Sequence, residues 1–172
     1  MSHRTDVFDL GALALSSGEA RRFDLEVETD PLTLGGETYL PVPERLPVRL
    51  DVARTGSGYT MRLRFEAQLE GPCMRCLEPS EAAFRVDARE VHQEGRRGDP
   101  ELCSPYVAGD DLDLRSFARE ALVLALPSQV VCREDCRGIC AECGTSLNEE
   151  AEHTHERAPD PRWAKLAEIE FE

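Results

Sequence analysis

Six of the seven cysteines fall into three close pairs, and this spacing constrains the chain more than any other feature. The pairs are Cys73/Cys76, Cys132/Cys136 and Cys140/Cys143, while Cys103 stands alone. A C-x-x-C turn lets two thiolates point at one ion, and zinc binds four such ligands in a tetrahedron. In a reducing compartment, paired cysteines of this kind indicate metal ligands rather than disulfides.

The start of the chain, Met1 to Asp6, lacks the basic-then-apolar order of a signal peptide. No apolar run approaches the length of a membrane span. The sequence therefore predicts a soluble cytoplasmic protein with no membrane partner, and cytoplasmic thiols stay reduced.

Two histidines extend the candidate ligand set, because His153 and His155 form an H-x-H pair soon after Cys143. The chain then offers four ligand pairs for one or two Zn²⁺ ions. The favoured partition groups Cys73 and Cys76 with Cys132 and Cys136, and groups Cys140 and Cys143 with His153 and His155. The alternative is one site made of two cysteine pairs, with the histidines free.

Alternating apolar and polar residues predict an antiparallel sheet. Val48, Leu50 and Val52 begin the pattern, and Tyr59 to Leu69 continue it after a Gly-Ser-Gly turn. A third strand is predicted from Ala82 to Val91. The first cysteine pair then lies in the turn between two strands, and residues 95–109 are expected to form an exposed loop.

A helix is predicted near 113–126, capped by Asp113 and ended by Pro127. A short closing helix is predicted from Asp160 and Pro161. The fold class is α+β: a mainly antiparallel sheet with one medium helix and a zinc-stapled C-terminal segment. We expect residues 1–130 to form the β-rich domain and residues 131–172 a cysteine-rich segment packed on it, as a single structural unit.

The net charge of −14 argues against broad binding to DNA or RNA, since phosphate-binding chains are normally basic. It fits a basic partner such as a ribosomal protein, or solubility alone. Local RNA contact stays open through Arg62 and Arg64, which alternation places on one strand face, together with Arg75. The competing interpretation is that Arg62 and Arg64 merely balance the nearby carboxylates of Glu66 and Glu70.

An enzymatic function is not expected. Pro72-Cys73-Met74-Arg75-Cys76 matches half of the zinc deaminase signature, but no H-x-E precedes it. Zinc bound by four protein ligands leaves no position open for water.

Three stretches of the sequence resemble the YceD family, the large ribosomal RNA subunit accumulation proteins of bacteria and plastids. They are Cys-Met-Arg-Cys-Leu-Glu-Pro at 73–79, the segment 120–148 with its four cysteines, and Asp-Pro-Arg-Trp-Ala-Lys-Leu at 160–166. All six paired cysteines fall on the cysteine pattern of the family. Where relatives carry C-x-C, this chain has His153-Thr154-His155.

The resemblance implies a non-enzymatic factor that supports accumulation or processing of large-subunit (23S) ribosomal RNA and ribosome assembly. Its partner would be a large-subunit precursor, contacted through ribosomal RNA or a ribosomal protein. Two alternatives remain open: a zinc or thiol redox sensor, and a generic zinc-stabilised protein-interaction module.

Overall fold

The computed structural model describes residues 3–4, 6–93 and 102–155. Within these ranges the strands are His3–Arg4 (β1), Val7–Asp9 (β2), Ala20–Glu28 (β3), Leu32–Leu34 (β4), Glu37–Val42 (β5), Arg45–Arg54 (β6), Gly58–Pro72 (β7), Pro79–Gln93 (β8), Val107–Ala108 (β9) and Asp111–Asp113 (β10). The α-helix α1 spans Leu114–Ala125. The predicted closing helix at Asp160 and Pro161 lies outside the described residues.

Among the described residues, the main sheet has seven strands and is built around the long strand β7. On one side β7 pairs along its whole length with β8, from Gly58 opposite Gln93 to Pro72 opposite Pro79. On its other side β7 pairs with β6 and β5, and β3 continues the sheet beyond β6. All of these pairings are antiparallel, as the alternating sequence predicts.

Alternation along β6 and β7 produces one buried and one solvent-facing side. On β7 the side chains from Tyr59 to Leu69 at every second position are buried. The intervening side chains, among them Arg62 and Glu66, face outward. Strand β8 spans Pro79–Gln93, and so it extends beyond both ends of the predicted 82–91.

Helix α1 covers the buried side of the sheet and follows the predicted boundaries closely. The Asp113 carboxylate accepts a hydrogen bond from the Ser116 amide at 2.9 Å, which caps the first turn. Leu114, Phe117 and Leu122 belong to the same buried cluster as the inner face of the sheet. Within the described residues, no helix is long and apolar enough to cross a membrane.

A small second sheet, in the order β2-β10-β9, lies at the start of the helix. It corrects part of the predicted loop 95–109, because Val107–Ala108 pairs with β10. The helix follows β10 directly, so Leu112 and Leu114 both enter the main core.

Candidate metal centre

The first cysteine pair lies in the turn between β7 and β8, as the sequence predicts. The amide of Cys73 donates to the Glu78 carbonyl at 2.8 Å, and the amide of Leu77 donates to the Cys73 carbonyl at 2.9 Å. Leu77 has a φ of 65°, a left-handed conformation that is uncommon for a residue with a Cβ. The turn therefore directs the sulfurs of Cys73 and Cys76 toward the same side.

The segment after α1 delivers the second pair to this turn. The amide of Met74 donates to the Val130 carbonyl at 2.9 Å, just before Cys132. The Arg75 guanidinium donates to the Cys136 carbonyl at 2.9 Å and to the Gln129 side chain at 3.0 Å. These bonds join the turn of the sheet to the C-terminal segment.

The four sulfurs of Cys73, Cys76, Cys132 and Cys136 form the first cluster. Ligand atoms in it lie within 4.8 Å of one another. The Cys73 and Cys136 sulfurs are 3.8 Å apart, and those of Cys76 and Cys132 are 3.7 Å apart. A tetrahedron with Zn–S bonds of about 2.3 Å has edges of about 3.8 Å. The donor set and its spacing are compatible with metal binding.

The thiols of the first cluster differ in pKa. Burial opposes ionisation of Cys73, but amide groups of Cys76 and Arg75 outweigh it and lower the Cys73 pKa to about 6. Burial and hydrogen bonding to Cys76 and Cys136 raise the pKa of Cys132 to about 12. Thiolates this close repel one another, and a divalent cation between them would remove that obstacle to ionisation.

The second cluster contains Cys140, Cys143, His153 and His155, whose ligand atoms also lie within 4.8 Å of one another. Cys140 Sγ is 3.2 Å from His155 Nε2, and Cys143 Sγ is 3.1 Å from His153 Nε2. These distances are a few tenths of an ångström shorter than the edges of a regular zinc tetrahedron. Gly144, with a φ of 76°, permits the turn after Cys143.

Both histidines direct Nε2 into the second cluster and Nδ1 toward a carboxylate. His153 Nδ1 is 3.4 Å from Glu150, and His155 Nδ1 is 3.5 Å from Glu142. Metal-binding histidines commonly donate their other N–H to a carboxylate, which orients the ring and fixes its tautomer. Thr145 Oγ1 lies 3.2 Å from Cys143 Sγ, and its hydrogen bonds lower the Cys143 pKa to about 6.

Glu142, Glu150 and Asn148 are site residues that the sequence analysis did not single out. Asn148 lies in the loop of the second cluster, yet its Nδ2 donates to the Cys136 sulfur of the first at 3.5 Å. Its Oδ1 accepts from the Arg137 amide at 2.8 Å. An acidic or amide residue within ten positions of a ligand pair is a usable signal, but exposed Glu is too common for it to be specific.

Arg62 and Arg64 are engaged with carboxylates, as the competing interpretation expects, but their partners are Asp87 and Asp51 and not Glu66 and Glu70. Arg62 forms two hydrogen bonds to Asp87, at 2.7 and 2.5 Å, and Arg64 reaches Asp51 at 2.5 Å. Arg75 is held at the cysteine turn by its bonds to Cys136 and Gln129.

The structure places Cys103 apart from both clusters, exposed, with its sulfur 3.7 Å from the Gln93 carbonyl oxygen.

The fold and these two clusters together define a class: a largely antiparallel β-protein with a Cys₄ and a Cys₂His₂ group, each compatible with a metal ion. The family model "Large ribosomal RNA subunit accumulation protein YceD" matches residues 61–170, a range that contains β7, β8, α1 and both clusters. The chain belongs to the YceD family.

Relatives among curated proteins carry no functional name. Uncharacterized protein Mb2951c of Mycobacterium bovis is 34% identical over 128 residues, which are 72% of this chain and 61% of that protein. The chain therefore spans about three fifths of the length of this relative. Uncharacterized protein YlbN of Bacillus subtilis is 25% identical over 150 residues, 86% of each chain. No solved structure matches.

Proposed function

We propose that this chain is a non-enzymatic factor that supports the accumulation of large-subunit ribosomal RNA in the cytoplasm, with a fold held by two Zn²⁺ ions. The observation that carries the proposal is the family match, since its range includes both clusters. The relatives bring no activity of their own, so the role comes from the family description alone.

Zinc is the metal that suits both donor sets, because thiolate and imidazole in a tetrahedron are its common structural ligands. The first ion would be bound by Cys73, Cys76, Cys132 and Cys136, and the second by Cys140, Cys143, His153 and His155. Four protein ligands at each ion would leave no position for a reacting water, which supports a structural role. The first ion would staple the segment from residue 131 onward to the β-rich domain, making one unit.

The rRNA role is tested by depleting the protein in its own cell and sequencing ribosomal RNA precursors. Large-subunit precursors should accumulate or be lost selectively, and the wild-type chain should restore them. Cys73→Ser should fail to restore them, whereas Cys103→Ser, a matched change at the thiol outside both clusters, should succeed. Unaltered large-subunit RNA after depletion would overturn the proposed role.

The metal content is tested separately, on the purified chain. We expect two zinc ions per chain by metal analysis. One zinc ion would remove the second site from the proposal, and none would remove the metal entirely.

A redox sensor is the second candidate, and the exposure of Cys143 in the second cluster favours it. A sensor should release zinc from the second cluster under mild peroxide, at concentrations that leave the first cluster, three of whose cysteines are buried, loaded. Retention of both ions under these conditions would exclude it. A generic interaction module would keep its zinc but would not co-sediment with large-subunit precursors.

A further inference from the structure

The outer face of the main sheet has two chemically different ends. At one end the carboxylates are neutralised: Asp51 binds Arg22 and Arg64, Asp87 binds Arg62, and similar pairs join Asp24 to Arg49 and Glu66 to Arg85. At the other end, near the cysteine turn, no cationic side chain among the described residues forms an ion pair with the carboxylates of Glu44, Glu70 or Glu81.

The strand register adds a cost at this second end. Glu70 on β7 lies directly opposite Glu81 on β8, and on its other side it lies opposite Leu40 on β5. Like charges directly opposite in an antiparallel pair are destabilising. Leu40 itself is 48% exposed, although it is a large apolar side chain in a strand. An arrangement that lacks countercharge and cover among the described residues suits a partner that supplies both.

A cleft of about 330 Å³ opens at this place, lined by Leu40, Pro41, Glu44 and Glu70, with Thr29 beside them. Thr29 is only 8% exposed, and its Oγ1 has no hydrogen-bond partner in the described part of the chain. Its amide donates to the Glu44 carbonyl at 3.3 Å, which ties Glu44 to the cleft. A buried hydroxyl without a partner costs free energy that an incoming N–H donor would recover.

We propose that this cleft is the docking site for a lysine or arginine side chain on a basic protein segment. The aliphatic stem of such a side chain would lie along Leu40 and Pro41, and its charged head would reach Glu44 and Glu70. An N–H of the head would meet the Thr29 hydroxyl. The acidic surface repels RNA phosphates, so the partner is a protein rather than RNA.

This inference deepens the proposed function, on which its biological setting rests: the contact with a large-subunit precursor is made through a basic protein. The net charge of −14 is consistent with it, because acidic surfaces attract basic partners over a distance. The docking claim itself is testable without ribosomes.

The test is fluorescence anisotropy with the zinc-loaded full chain and a labelled dodecapeptide of repeated Leu-Lys-Ser, at about 0.15 M salt. The peptide should bind, and a version with Glu in place of Lys should not. Glu44→Gln combined with Glu70→Gln should weaken binding by about tenfold or more, as expected when two charge contacts are lost. A single-stranded RNA of similar length should not bind.

A matched control carries the same change in net charge elsewhere. Asp110→Asn with Asp111→Asn alters two exposed carboxylates, one just before β10 and one at its first position. It should leave the peptide affinity within about twofold, as expected when only the overall electrostatic field of the protein changes. An equal loss in both double variants would show diffuse attraction by net charge and would overturn the proposal. Binding of the single-stranded RNA would also overturn the proposal if the Glu44→Gln and Glu70→Gln variant strengthened it no more than the control variant does.

Thr29→Val gives a second readout that does not depend on charge. Removing an unpaired buried hydroxyl should leave thermal stability unchanged or raised, while peptide affinity falls severalfold. Unchanged affinity would remove the hydroxyl from the site. Sedimentation of the chain alone tests whether a second copy of the chain fills the cleft instead of a basic segment. Self-association that Glu70→Gln abolishes would show that it does, and would overturn the proposal.

The two proposals fail differently. Loss of peptide binding in the Glu44/Glu70 variant, with normal large-subunit RNA in cells that carry it, supports docking and overturns the link to ribosomal RNA. Unimpaired peptide binding in that variant overturns docking, whatever the precursor sequencing shows.

Discussion

The two clusters differ in what they join. The first connects Cys73 with Cys136, 63 positions apart, and three of its four cysteines are buried. The second connects Cys140 with His155, only 15 positions apart, and half of its ligands are exposed. A cross-link that closes a longer loop removes more entropy from the unfolded chain, here by about 1 kcal/mol for a fourfold difference in length. The first cluster should therefore govern the fold and the second its local loop.

The largest expected effect is the loss of the first site. Cys73→Ser should lower the free energy of unfolding by more than about 4 kcal/mol, because metal binding at a structural site is folding energy. The free-energy loss caused by Cys140→Ser should be smaller than that caused by Cys73→Ser, by about 1 kcal/mol or more. Chemical denaturation followed by circular dichroism measures both. Cys103→Ser, the control, should stay within about 0.5 kcal/mol. Equal losses for Cys73→Ser and Cys140→Ser would break the comparison.

The pH dependence of zinc binding should also separate the clusters. Cys132, with a pKa of about 12, and Cys76, whose pKa burial also raises, keep their protons at pH 7–8, so Zn²⁺ must displace both. Affinity at the first cluster should then fall up to about 100-fold for each unit that the pH falls. At the second cluster Cys143, with a pKa of about 6, is already ionised, and the dependence should be shallower.

Competition with a chelator at pH 7 and pH 8 measures this difference. Cys140→Ser isolates the first site, and Cys73→Ser, if it folds, isolates the second. Calorimetry in two buffers of different ionisation enthalpy counts the displaced protons in the wild-type chain, whether or not either variant folds. An affinity at the first cluster that does not change with pH would contradict the assignment of protonated thiols.

Two glycines allow the junction between sheet and C-terminal segment to be probed without touching a ligand. Gly138 and Gly144 have similar φ values, 79° and 76°. A Cβ at Gly138 would lie 2.9 Å from the Arg75 carbonyl oxygen, whereas a Cβ at Gly144 would meet nothing within 4 Å.

Gly144→Ala should therefore cost only the left-handed strain, about 1 kcal/mol. Gly138→Ala should cost about 2–3 kcal/mol, because the backbone of the first cysteine turn must also shift. Thermal and chemical unfolding of the two variants measure the difference. A larger loss for Gly144→Ala would mean that the second cluster, not the junction, limits stability.

The sequence predicted the parts of the fold that repeat a pattern over many residues. Strands β6, β7 and β8 alternate over ten or more positions, and α1 has both a capping residue and a terminating proline. Strands β9 and β10 escaped prediction because two or three residues cannot display a period. The pairing of β10 with β2 also joins segments that are distant in sequence.

The ligand types and the favoured grouping of the four pairs agree with the two clusters, whereas the contacts that bring the pairs together were not predictable from the sequence. Spacing alone identified four pairs, but which pairs meet depends on the β7–β8 register and on the path after α1. The bond from Asn148 to Cys136 has no local signal, because an asparagine in a polar loop is common. Charge pairing of Arg62 and Arg64 was considered, but their actual partners were not predictable, since Asp87 and Asp51 reach them only across strands.

The smallest expected effect concerns whether the two clusters act independently. Asn148 lies between the cysteine and histidine ligands of the second cluster, yet it donates to the sulfur of Cys136 in the first. A metal ion in the second cluster would hold this loop in place, and so it should strengthen the hydrogen bond to the first.

Asn148→Ala should cost about 1 kcal/mol, the worth of an ordinary hydrogen bond. His153→Ala should remove part of the same contribution, by loosening the loop. In a double-mutant cycle, zinc affinity at the first site should therefore show a coupling of about 0.5–1 kcal/mol between the two changes. Strictly additive changes would show that the clusters are independent and that Asn148 is positioned by the backbone alone.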